Sequence, residues 1–73
     1  MSLFDSYPVL ESVIVNTKEG KAFRGVVWKR RGGYLVLRNA EVLQPSGDRI
    51  AVDGEVAIPE RDIEFLQVPR AVS

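Results

Sequence analysis

The chain has 73 residues, ten basic and ten acidic, with no His and no Cys. That length suits one domain, here residues 1–73, whose lone core is marginal unless packing or oligomerisation adds to it. The missing His and Cys exclude disulfides and argue against zinc and against nucleophilic or His-based catalysis. We therefore expect no enzyme, no metal and no cofactor. No stretch reads as a membrane span or a signal peptide, and the absence of Cys fits a cytoplasmic protein.

Zero net charge hides a strong division. Lys18 to Arg38 holds seven basic residues against one acid, and Glu41 to Glu64 holds seven acids against two basic residues. A molecule with one basic and one acidic surface can steer an anion or dock head to tail on its own copies.

In chain order, Ser2 to Tyr7 suits one helical turn, stopped by Pro8. Val9 to Thr17 reads as the first strand, with Val13, Val15 and Thr17 on one face. Lys18-Glu19-Gly20-Lys21 is a turn. Ala22 to Lys29 is the second strand, with Gly25 at a point where the sheet must bend or another backbone comes close. Lys29 to Gly33 is a basic hairpin tip.

Gly33 to Val42 is the most strand-like run. Leu35 and Leu37 share its core face; Tyr34, Val36 and Arg38 share the other. Glu41 to Arg49 reads as a loop or a loosely paired extension. Ile50 to Ile58 is the fourth strand, and Asp53-Gly54 within it marks a bend in preference to a hairpin, because the arms on either side are short. Pro59 to Asp62 is a tight connection. Ile63 to Val68 is the fifth strand, where strict alternation sets Ile63 and Phe65 opposite Glu64 and Leu66. The fold class is all-β: a five-stranded, strongly bent small barrel. Its last strand is an open edge that invites pairing with another copy, and repeated pairing closes a ring.

From Val13 to Val68 the chain resembles the Sm and Sm-like proteins, which include the Hfq type. The resemblance is carried by Val13-Ile14-Val15, Lys18-Glu19-Gly20, Phe23-Arg24-Gly25-Val26-Val27, Leu35-Val36-Leu37-Arg38-Asn39-Ala40-Glu41, Gly54-Glu55-Val56-Ala57-Ile58 and Ile63-Glu64-Phe65-Leu66. It implies an SH3-like barrel and homo-oligomeric rings, in which the fourth strand of one subunit pairs with the fifth of the next. Ile58, Ile63, Phe65 and Leu66 would then lie at the interface.

The resemblance also has gaps. The Asn that RNA-binding members carry falls on Tyr34, their Asp falls within Lys29 to Gly33, and their Arg-Gly pair falls on Pro59-Glu60. The usual RNA pocket is thus rewritten, as in divergent members found in bacteria and their phages.

Two functions fit. In one, the ring binds single-stranded RNA through Lys29, Arg30, Arg31 and Arg38, with Tyr34 stacking on a base. In the other, the oligomer is a structural or adaptor protein, for example a phage assembly or regulatory component, that docks protein partners. Trp28, the sole Trp, is a candidate interface anchor on the face opposite Phe23 and Val27. For each cluster a bland reading stands beside the functional one: a solvated hairpin tip for the cations, and a second small core for Trp28.

Overall fold

The computed structural model describes residues 11–69. The expected N-terminal helical turn and the first two residues of the expected first strand lie outside them. Among the described residues six strands follow one another: β1 (Ser12–Thr17), β2 (Ala22–Arg31), β3 (Tyr34–Leu43), β4 (Arg49–Ala51), β5 (Val56–Pro59) and β6 (Ile63–Gln67), with a 3-10 turn at Glu60–Asp62 before β6. All pair antiparallel in the order β4-β3-β2-β1-β6, and β5 joins the other half of β3. The expected fourth strand is therefore one bent strand in two pieces. β4 pairs with Glu41 to Leu43 and β5 with Tyr34 to Leu37. Between the pieces Gly54 adopts φ +79, a left-handed conformation that suits glycine.

The barrel turns inward over a core of Val13, Val15, Val27, Leu35, Leu37 and Ile58, closed at one side by Ala40. Leu35 and Leu37 are fully buried, each contributing roughly 1.5–3 kcal/mol of hydrophobic stabilisation. Val13, Val15 and Thr17 face inward as their alternation predicts. Thr17 closes the first turn: its Oγ1 accepts from the Lys21 N–H at 3.1 Å.

Three bulges break the two-residue period, and each re-aims side chains. At the first, Gly25 of β2 faces Asn39 and Ala40 of β3, and Asn39 takes φ +52. At the second, Trp28 is an extra residue between the pairs Val27–Leu37 and Lys29–Val36. At the third, Glu64 is an extra residue in β6 between Ile63 and Phe65, which pair with Thr17 and Asn16. Strict alternation in the last strand fails for this reason. Ile63 and Leu66 pack on the core, while Phe65 is 49% exposed.

β5 pairs only with β3 and β6 only with β1, so the described sheet ends at two unjoined edges. A groove of about 170 Å³ lies along β5, lined by Val56 to Pro59 on one side and by Thr17, Lys21 and Phe23 on the other. No helix among the described residues is long and apolar enough to cross a membrane.

One stability prediction follows from the bend. Gly54→Ala meets no atom within 4 Å, so its whole penalty is backbone strain at the positive φ. The expected loss is about 1 kcal/mol by denaturant unfolding, with the slope unchanged.

Candidate functional site

The basic segment is a strand, not a flexible tip. β2 continues through Arg31, and only Gly32 (φ +52) and Gly33 (φ +82) form the turn. Positive φ at both central residues is the type I′ geometry, whose twist matches that of the paired strands. Residues paired across strands share a face. Lys29 pairs with Val36, Arg30 with Leu35 and Arg31 with Tyr34. Lys29, Arg31 and Tyr34 therefore lie on the outer face, and Arg30 lies on the core face with Leu35.

Arg30 is tied down there. Its Nε donates to Glu60 Oε1 at 3.2 Å, and Oε2 of the same carboxylate lies 2.9 Å from Nε. The close contact to Oε2 lacks hydrogen-bond alignment, so this buried oxygen has no hydrogen-bond partner among the described residues. The Glu60 side chain is 6% exposed and that of Arg30 44%. The Glu60 N–H also donates to the Gly33 carbonyl at 2.9 Å, binding the 3-10 turn to the hairpin tip. The acid at this position is thus an internal counter-ion for Arg30.

Arg38 is also engaged. Its Cζ sits 3.5 Å from the centroid of the Trp28 ring, and its Nε donates to Glu55 Oε2 at 3.1 Å. Trp28 is half-buried beneath that guanidinium. Val36 is 5% exposed although it lies outside the main core cluster, so the outer face of β2 and β3 is covered at that point.

The five residues expected to meet an anion therefore divide. Lys29, Arg31 and Tyr34 (43% exposed) form one outward-facing group, and neither Lys29 nor Arg31 makes an ion pair among the described residues. Arg30 and Arg38 are each paired with an acid that flanks β5, Glu60 after it and Glu55 before it. The expected interface set divides too. Ile58 is 4% exposed within its own core, so its side chain is not offered to a neighbour. Ile63 and Leu66 pack on the same core, and Phe65 is the one large apolar side chain that the last strand presents. Of the two acids that sequence reasoning missed, Glu60 carried a signal, an acid within the pair where the resemblance expects Arg-Gly. Glu55 carried none, because only the β3–β5 pairing brings it to Arg38.

No family model matches the chain, and no curated protein matches its sequence. Solved structures do match its fold. The SmAP1 heptamer of P. aerophilum superimposes with a TM-score of 0.76 at 17% identity, over 86% of this chain and 84% of that one. A heptameric archaeal Sm protein gives 0.75 at 17% identity, over 85% of this chain and 90% of that one. A chain of the NatC complex bound to CoA gives 0.73 at 19% identity, over 85% of this chain and 79% of that one. The architecture and these likenesses together define the class: this is an Sm-like small β-barrel fold.

Proposed function

We propose that the chain is a divergent Sm-like protein that assembles into a homo-oligomeric ring and binds single-stranded RNA on the outer face of its β2–β3 hairpin. The observation that carries the binding half is the placement of half-buried Lys29 with exposed Arg31 and Tyr34 on one face, an aromatic ring beside two cations. That combination suits a phosphate backbone with a base laid on the ring. The ring half is supported by the two unjoined edges: β5 of one copy completes its hydrogen bonds on β6 of the next. The neighbour's Phe65 then meets the apolar groove along β5. The reading includes no catalytic step, a cytoplasmic setting, and a place among bacterial or phage members of the class.

Native mass spectrometry with and without a short single-stranded RNA tests both halves. The expected result is a closed oligomer that adds RNA, and a stable monomer at micromolar concentration overturns the ring. The Lys29→Ala/Arg31→Ala pair is expected to reduce affinity at least about tenfold at low salt. It should also flatten the log–log salt dependence by about 0.7 for each phosphate contact removed, so by about 1.4 per engaged protomer.

A second reading has one observation in its favour. Phe65 and Ile50, two large apolar side chains, are 49% and 50% exposed and available for a partner to cover. In that reading the oligomer is an adaptor that docks protein partners. It gains if the closed oligomer ignores RNA at low salt and loses a protein partner on Phe65→Ala.

A further inference from the structure

Arg38 is oriented more completely than an exposed arginine needs to be. Stacking on Trp28 fixes the plane of its guanidinium, and the Nε bond to Glu55 fixes its rotation within that plane. Its Nη1 and Nη2 groups are left without a hydrogen bond among the described residues, as is Oε1 of Glu55. Arg38 and Glu55, with Asn39 and Gly54, line an open groove of about 350 Å³, within the roughly 300–1,000 Å³ typical of small-ligand clefts. Gly54 contributes no side chain to it, and a Cβ there would meet nothing within 4 Å.

A guanidinium donor beside a carboxylate acceptor is a pattern with a complement. A simple phosphate is a poor one, because Glu55 repels it. A nucleobase edge with an acceptor next to donors is a good one. Guanine offers O6 beside N1–H and N2–H₂, so O6 accepts from Arg38 and the N–H groups donate to Glu55. Adenine (N1 beside N6–H₂) and cytosine (N3 beside N4–H₂) fit when turned over, but each then offers the carboxylate one donor group where guanine offers two. Uracil keeps the first two matches but sets its O2 against the carboxylate. The free face of the guanidinium adds a surface on which a base can stack.

We propose that Trp28, Arg38 and Glu55 form a guanine-selective nucleobase subsite. The proposal deepens the RNA-binding reading and takes its biological ligand, single-stranded RNA, from it. Trp28 is the chain's sole Trp, so its fluorescence reports occupancy of the site directly.

The test has two arms. In the first, guanosine monophosphate is titrated against Trp28 emission, with adenosine and cytidine monophosphates as controls. The expected result is a saturable change with the guanine nucleotide alone, lost in Glu55→Gln and in Arg38→Lys. The second variant keeps the charge but not the planar fork. In the second arm, heptamers of guanine-containing and adenine-only RNA are compared by fluorescence anisotropy. A preference of about tenfold is expected, falling to near unity in both variants while the salt dependence set by Lys29 and Arg31 persists.

Equal binding of the two heptamers with no nucleotide response overturns the subsite and leaves the RNA reading intact. A guanine response without any RNA binding at low salt supports the subsite and overturns the RNA reading. Silence in both arms overturns both.

Discussion

Gly25→Ala is expected to lower the melting temperature by about 10 °C, and Gly25→Val to prevent cooperative folding. A Cβ at this position lies 3.1 Å from the Arg38 carbonyl oxygen, 3.2 Å from Ala40 Cα and 3.2 Å from Leu37 Cβ. Two of these atoms are backbone and the third is fixed to a fully buried side chain, so none swings aside. They belong to the segment of β3 that is bulged at Asn39 and Ala40, where the sheet bends over the core. Overpacking of this kind costs about 1–3 kcal/mol. In a domain of this size each kcal/mol shifts the midpoint by about 4–8 °C. The check is thermal unfolding followed by circular dichroism. An alanine variant that melts within about 2 °C of the parent would show that the strands separate without penalty and that the bend does not depend on this contact.

Arg30→Ala is expected to destabilise the fold by about 2–3 kcal/mol, far more than Lys29→Ala or Arg31→Ala, although the three are consecutive. Arg30 is the counter-ion of Glu60, whose side chain is 6% exposed. Removing it leaves a buried carboxylate without compensation, a change that costs about 3–5 kcal/mol for fully buried pairs. Because the Arg30 side chain is 44% exposed, water screens part of that loss and the lower figure applies. Lys29 and Arg31 face outward and leave nothing buried behind them, so their removal should change stability by less than about 0.5 kcal/mol. Urea unfolding of the three variants makes the comparison. The double variant Arg30→Ala/Glu60→Leu removes both charges and should recover most of the loss. If it remains as unstable as Arg30→Ala, the deficit comes from lost packing of the arginine stem and not from the stranded acid.

The same comparison separates roles within the basic run. Affinity for RNA should follow Lys29 and Arg31, and stability should follow Arg30. A mutation of all three at once would mix an unfolding effect with a binding effect and be read as one.

Much of the fold was legible from residue order. Leu35 and Leu37, then Val13 and Val15, declared their core faces because apolar residues two apart on a strand must point the same way. Gly25 marked the bend, and Asp53-Gly54 marked the break in the fourth strand. What defeated the reading was the bulge. Counting by two from the buried Val27 sends Trp28 and Arg30 outward and Lys29 and Arg31 inward. The extra residue at Trp28 reverses the last three, so that Arg30 shares the core face with Leu35 and the other two cations share the outer face. The extra residue at Glu64 likewise returns Leu66 to the core beside Ile63 and leaves Phe65 outside.

Residue types and their spacing therefore determined that this is a small, bent, all-β chain with a basic hairpin and an unjoined edge. Those properties follow from local propensity and period. The tertiary structure alone decided which cations are free to meet a ligand. Arg30 is separated from Glu60 by 30 positions and Arg38 from Glu55 by 17, and only the folding of β5 against β3 brings each acid to its base.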